Sequence, residues 1–431
     1  MLTELKPINR REFISQTTTC AAAFLVLKPN IVRGFQANSA VRVGLLGCGG
    51  RGTAVATSFA KNAGARIVAL ADIFPDQLQK AKSTFDAVAS SLGYAGLDPK
   101  LMFHGTNAFR DLAACNQIDA IQISTPPFFH VEHLESAVSG GKHIYCEKPI
   151  GVDMVQTERA LDIGKRANGK VSIDVGFQIR SAPPFVELVR RIHEGAIGKL
   201  VTISAHYFAP AIEYPDRPAS MSRDEVRLRN WNWDLTLSGD IIVEQDIHVV
   251  DICNWILGSH PQSAYATASR SVVTHFGNNF DNYQVIYTYP DDVHVTLAAK
   301  QYGNDSFFDV SEQVFGSAGF SESPYSGPLR IVGENPWSWN SDTPRQTGSS
   351  QFAANGAFSD NLAQADSEKE KGFIESIVSG RFHNQIETGV ESARSAMLAR
   401  MSARRGSTIT WTDLLASNER FDLGMNLDQF A

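Results

Sequence analysis

The stretch 143–153 reads HIYCEKPIGVD: a short apolar strand that runs into a carboxylate, an amine and a proline at Glu147, Lys148 and Pro149. A lysine at the carboxyl end of a buried parallel strand points into the crevice where open α/β sheets bind ligands. There it can hold or pass on the proton of a reacting hydroxyl, and Pro149 fixes the chain's exit beside it. A second group lies in IIVEQDIHVVDICNWILG (241–258), where Glu244, His248, Asp251 and Trp255 are spaced i, i+4, i+7 and i+11. On one continuous helix they share a face. Burying such a mixture is costly unless it meets a polar crevice. His248 is the best general base by intrinsic acidity, while Asp251 reads as structural. Glu-x-x-x-His offers only two ligands, with no Cys or second His at a supporting spacing, so no metal is expected.

These groups need a scaffold, and the first half of the chain supplies its signature. Gly47-Cys48-Gly49-Gly50-Arg51-Gly52 follows the apolar run VRVGLL and opens a helical segment. The glycines permit a tight turn that brings backbone N–H groups to a pyrophosphate at a helix N-terminus. Asp72 closes the next strand, RIVALAD, where a carboxylate can accept from a ribose hydroxyl and repel a 2′-phosphate. The pair predicts NAD in preference to NADP. Thr125 and Pro126, after a further strand, are candidates for the nicotinamide ribose, and His130 is expected to begin the following helix. Strands and helices alternate from Val41 to about residue 175, which predicts a doubly wound parallel sheet.

Beyond residue 175 the pattern changes to period-two runs such as LVTISAHYF, NYQVIYTYP and VHVTLAAKQYG. They predict a C-terminal α+β domain (176–431) with an open, mostly antiparallel sheet. Residues 335–366 read as a long loop, followed by helices near 370–405. Gln178 and Arg180, after the sixth strand, are expected to face the crevice. Trp231 and Trp233 are candidate flat platforms for a sugar ring. The 431 residues carry a net charge of −7, which excludes a typical nucleic-acid binder. Five cysteines without a CxxC pair form no disulfide framework, and Cys146 reads as a small buried apolar residue.

The glycine loop, the acid ending the second strand, the Glu-Lys-Pro ending the fifth and the His248 segment together resemble the Gfo/Idh/MocA oxidoreductases. VGFQIR (175–180), IHEGAIGKL (192–200) and NWNWD (230–234) extend the resemblance over nearly all of the chain after residue 40. It implies that Lys148 sits beside the nicotinamide and touches the reacting hydroxyl, with Glu147 and Gln178 also lining the cofactor site. It implies that Glu244 and His248 reach a carbohydrate substrate. The family's usual acid four residues before the histidine is aspartate, so Glu244 is a departure that adds a methylene. A homodimer or homotetramer is the expected assembly. The reaction expected is hydride transfer between a sugar or polyol carbon and NAD. A redox-neutral glycosidase cycle, as in glycoside hydrolase family 109, is an alternative. A catalytically silent NAD- or sugar-binding protein is another.

Residues 1–39 carry Arg10-Arg11 before an apolar stretch, Ile14 to Leu27, too short and Thr/Ala-rich to span a membrane. They resemble a twin-arginine signal, which exports folded proteins. The mature protein is then expected in the periplasm with its cofactor already bound, because no nicotinamide pool exists there to replace it.

Overall fold

The computed structural model describes residues 40–431 except 216, 304–306 and 340–358; the expected export signal lies outside the described residues. Two sheets organise the molecule. The first has six parallel strands in the order β3-β2-β1-β4-β5-β6: β1 Arg42–Leu46, β2 Arg66–Asp72, β3 Met102–His104, β4 Ala120–Ile123, β5 His143–Cys146 and β6 Ile173–Val175. The strands are nearly continuous apolar runs because helices cover both faces. Those helices are α1 Gly50–Asn62, α2 Pro75–Ser91, α3 Ala108–Ala114, α4 His130–Ser139 and α5 Met154–Ala167. The topology reverses between β1 and β4, so the carboxyl ends of β1, β2, β4 and β5 border one crevice.

After α6 (Pro183–His193) come β7 Leu200–Ala209, β8 Ser263–Ser269, β9 Asn282–Thr288, β10 His294–Gln301, β11 Asp309–Gly316, β12 Gly319–Glu322, β13 Leu329–Gly333, β14 Trp337–Trp339 and β15 Ile409–Thr410. They form a nine-stranded sheet in the order β14-β13-β12-β11-β7-β10-β9-β8-β15. Only the central pair, β7 (Leu200–Ala209) with β10 (His294–Gln301), is parallel. Alternate residues of these strands are buried, as the period-two pattern requires. Residues 335–366 are not all loop: β14, Trp337–Trp339, pairs with β13, Leu329–Gly333. That three-residue edge strand is too short to show a period.

The inner face of the large sheet packs on α9 and α11, while α7 and α10 lie against the nucleotide half. Here α7 is Arg223–Arg229, α8 is Ile241–Glu244, α9 is Ile247–Leu257, α10 is Ala365–Ser379 and α11 is Ile386–Arg405. The helix expected to carry Glu244 and His248 together is broken between α8 and α9. Helix α10 returns to the first sheet, where Phe373 meets Phe59 of α1 edge to face, and Phe59 meets Tyr145 of β5 at 5.2 Å. Helix α11 carries buried Arg394, which donates to Thr157 of α5. Residues 41–431 thus form one compact unit in which the last helices clamp the nucleotide half. No helix among the described residues is long and apolar enough to cross a membrane.

Candidate active site

The glycine loop divides its labour by position. Gly47 has φ +91°, and a Cβ there would lie 2.6 Å from the Ser124 backbone. A Cβ on Gly52 would lie 2.1 Å from the Gly47 carbonyl oxygen. Nothing stands within 4 Å of a Cβ on Gly49, the N-cap of α1. The first and last glycines therefore let the loop fold on itself, and the middle one leaves an open concavity at a helix N-terminus. That concavity fits a pyrophosphate.

Asp72 closes β2 beside this loop, buried, with Oδ2 accepting from the Cys48 N–H (2.7 Å) and Oδ1 from the Phe74 N–H (2.8 Å). Burial raises its pKa and these two bonds oppose that rise. Each carboxylate oxygen keeps a further lone pair, so a ribose hydroxyl remains a possible donor to it.

Glu147 and Lys148 leave β5 in opposite directions. Glu147 accepts from Arg51 Nε at 3.0 Å, and the Arg51 guanidinium donates twice to Asp366 of α10, at 2.9 and 2.8 Å. Arg51 and Glu147 therefore brace the nucleotide loop from behind with their charged ends already satisfied. Burial pushes the Glu147 carboxyl up, against the pull of Arg51. Gly50 begins α1 directly behind the open Gly49 position.

Lys148 turns the other way. Its Nζ donates to Glu244 Oε1 at 2.6 Å and also to the Glu244 carbonyl. Lys148 thus bonds the carbonyl that stands at the helix break, the one a continuous helix would offer to the His248 N–H. The His248 backbone instead belongs to a new helix, whose Val249 and Val250 N–H groups bond to Asp246. Lys148 and Glu244 are nearly enclosed, with side chains 11% and 13% exposed.

His248 is buried against the edge of Phe177, and its Nδ1 has no partner among the described residues. Burial, and then the Lys148 charge, depress its pKa well below the ordinary histidine value, so the ring is neutral. Asp246, which sequence reasoning missed, is fully buried with both carboxyl oxygens unpartnered among the described residues. Burial, followed by Asp240 and Glu244, raises its pKa well above the usual carboxylate value. An aspartate between Glu244 and His248 was visible in EQDIH, but its burial was not. Gln178 is buried with its Oε1 also unpartnered.

His130 begins α4, as expected, and adds a contact the sequence did not show. Its Nδ1 lies 2.8 Å from the Pro149 carbonyl and its Nε2 2.7 Å from the Thr125 carbonyl. The ring thus bridges the loop after β4 to the turn that carries Lys148. The Thr125 hydroxyl is itself bonded to His133 Nδ1 at 2.9 Å, and Pro126 is half-buried beside it.

Three expectations change. Trp233 is no sugar platform: it is 2% exposed and donates its indole N–H to the Ile212 carbonyl at 3.1 Å. Trp231 packs with Phe74, Phe128 and Phe129, so its ring face is used in an apolar cluster that spans both domains. Arg180 is pinned by Asp251 through bonds of 2.8 and 3.0 Å, which leaves it a wall residue with its charge already neutralised. Asp251, also bonded by Ser392, is structural as expected. Both tryptophans looked alike in sequence because aromatic residues serve cores and sugar sites equally well.

Comparison with known proteins decides the family. Residues 41–175 match the oxidoreductase family with an NAD-binding Rossmann fold, and residues 185–322 match the Gfo/Idh/MocA C-terminal domain. The chain belongs to the Gfo/Idh/MocA oxidoreductases. An inositol 2-dehydrogenase of Rhizobium meliloti is 30% identical over 251 residues, 57% of this chain and 64% of that protein. A glycosyl hydrolase family 109 protein of Solibacter usitatus is 31% identical over only 116 residues, a quarter of its length. The fold matches scyllo-inositol dehydrogenase from Lactobacillus casei, whose structure holds NAD(H) and scyllo-inositol. The TM-score is 0.65 at 19% identity, over 87% of this chain and all of that one. No group of three or more metal-holding His, Cys, Asp or Glu side chains occurs among the described residues.

Proposed function

We propose that this protein oxidises a secondary hydroxyl of a cyclic polyol or sugar, using NAD held along the Gly47–Gly52 loop. The observation that carries the reading is the juxtaposition at the end of β5. Lys148, held by Glu244, stands with neutral His248 and its unpartnered Nδ1 at the carboxyl edge of a dinucleotide fold.

Bound there, the nicotinamide supplies the acceptor for the hydride leaving the substrate carbon. The side chains do the rest. Lys148 Nζ, oriented by Glu244, donates a hydrogen bond to the reacting oxygen. His248, kept neutral by burial, takes the hydroxyl proton as the C–H bond breaks. The Asp246 carboxyl and the Gln178 Oε1, both without partners among the described residues, are available to neighbouring hydroxyls, which suits a polyhydroxylated ring. Enclosure keeps water from the reacting centre.

The localisation belongs to the same proposal. Arg10-Arg11 and the apolar stretch after them support export of the folded protein with its cofactor aboard. The exposed Val201, Tyr265, Ile286 and Phe315 of the large sheet support assembly with a second copy.

The test is a screen of inositols, sugars and aryl glycosides that follows NADH absorbance and phenol release together. NADH formation without phenol release is expected. Phenol release without net NADH would replace the dehydrogenase with the glycosidase cycle, and silence in both channels from cofactor-loaded protein would sink both.

A further inference from the structure

The adenosine end of the crevice is closed by a segment that no motif announces. After Glu419, whose carboxylate pairs with fully buried Arg400, residues 420–427 run without regular secondary structure and 428–430 make a 3-10 turn, beside the loops that follow β2, β3 and β4. Leu423, Met425 and Leu427 alternate with exposed residues and turn inward, and Phe430 completes the row. They pack on Phe74, Phe128 and Phe129 from the nucleotide domain and on Leu228 and Trp231 from the substrate domain. This strap joins both walls of the crevice.

Phe74 is the key contact. It follows Asp72 by two residues, and its N–H is one of the two donors on that carboxylate. Its ring is covered by the Arg229 guanidinium, 3.9 Å from the ring centroid, and by Phe430, edge to face at 5.7 Å. The Phe430 carbonyl rests against Gly105, just past β3, where a Cβ would stand 3.2 Å from it. Arg229 is itself neutralised by Asp76 and Glu225, so it adds cover without a charge that would invite a 2′-phosphate.

The strap is tied down at several points. The Phe421 N–H donates to Asp153 Oδ2 at 2.8 Å. Arg227 of α7 donates to the Gly424 carbonyl at 3.1 Å, and the Asn426 N–H donates to Asp224 Oδ2 at 2.9 Å. An apolar row with backbone anchors at both ends is built to stay closed.

We propose that residues 421–430, with α7, are part of the cofactor site: they close over the adenosine half of the dinucleotide and make it a resident group. Release then requires the strap to lift from both domains, so the off-rate is set by the strap as well as by the glycine loop. The inference rests on the dinucleotide reading of that loop and needs no particular substrate.

The experiment measures cofactor exchange in three proteins: the full chain, a chain lacking residues 423–431, and Phe430→Ala. Each is loaded with NAD, freed of excess by gel filtration and mixed with a fluorescent etheno-NAD. The bound dinucleotide is also counted after denaturation. The full chain is expected to keep its NAD through filtration, with exchange accelerated at least tenfold by the deletion and several-fold by Phe430→Ala. Circular dichroism and thermal unfolding check that each variant is folded, and Phe430→Ala carries the test if the deletion is not. Equal off-rates in folded variants would overturn the proposal. So would tighter binding by the shortened chain, which would mean that the strap competes with adenosine. No substrate enters the measurement, so failure of the dehydrogenase reading and failure of this one are separately visible.

Discussion

Glu147 and Lys148 are adjacent in sequence and serve opposite purposes. On the Glu147 side, Arg51 donates to both Glu147 and Asp366, so the three charged groups satisfy one another. On the Lys148 side, His248 Nδ1, both Asp246 oxygens and Gln178 Oε1 are buried without partners among the described residues. A finished network holds a backbone in place, whereas buried polar atoms left unpaired are costly unless a ligand completes them. The difference marks the Lys148 side as the place where a ligand has polar atoms to complete.

Mutation can break the contrast in either direction. Lys148→Met is expected to lower kcat by about 10²–10⁴-fold with the folded state intact, and His248→Ala by a similar factor. Steady-state kinetics alongside a melting curve checks both; a normal kcat in either variant would remove that residue from the chemistry. Arg51→Ala should do the reverse. It strands buried Glu147 beside Asp366 and should cost about 3–5 kcal/mol of stability in denaturant unfolding, with a smaller loss of kcat in protein that still folds. A variant that melts normally but turns over poorly would move Arg51 into the active site.

Smaller effects sharpen the boundary. His130 lies between the two carbonyls of Thr125 and Pro149, so His130→Ala should loosen the Lys148 turn and slow kcat about tenfold, with substrate KM little changed. A rise in KM alone would mean that the ring holds substrate rather than the turn. The smallest expected effect is on the pH dependence of stability. Burial pushes Glu370 up to about 9 and Glu312 up to about 8. Each binds a proton in the folded state that it lacks when unfolded, so each makes stability fall as pH rises from the ordinary carboxylate range toward those values. Glu370→Gln and Glu312→Gln should flatten the decline in Tm between about pH 6 and 9. An unchanged slope would show that neither carboxyl stays protonated.

Much of this was legible beforehand. The glycine loop, Asp72, the parallel sheet and the period-two strands follow from local patterns, whereas the meeting of Lys148 with the Glu244–His248 segment was implied only by the family resemblance. They were readable because a strand's period and a loop's glycines are local consequences of backbone geometry. What failed was continuity and exposure. The helix through 241–257 is broken at the point where a lysine 96 residues away bonds the Glu244 carbonyl. Trp233 and Trp231 differ only in which core each enters. The alternating Leu423, Met425 and Leu427 were a visible signal, but an isolated extended segment does not say which surface it covers.

The sequence by itself thus determined the class of cofactor, the two-sheet architecture and the residue types at the reaction centre, since each depends on spacing along a few tens of residues. Tertiary structure alone decided which charged groups are spent on one another and which are left open. It also decided where residues 421–430 lie. Those outcomes depend on which distant side chains share a low-dielectric space, and there a buried polar group is either paired or waiting for its ligand.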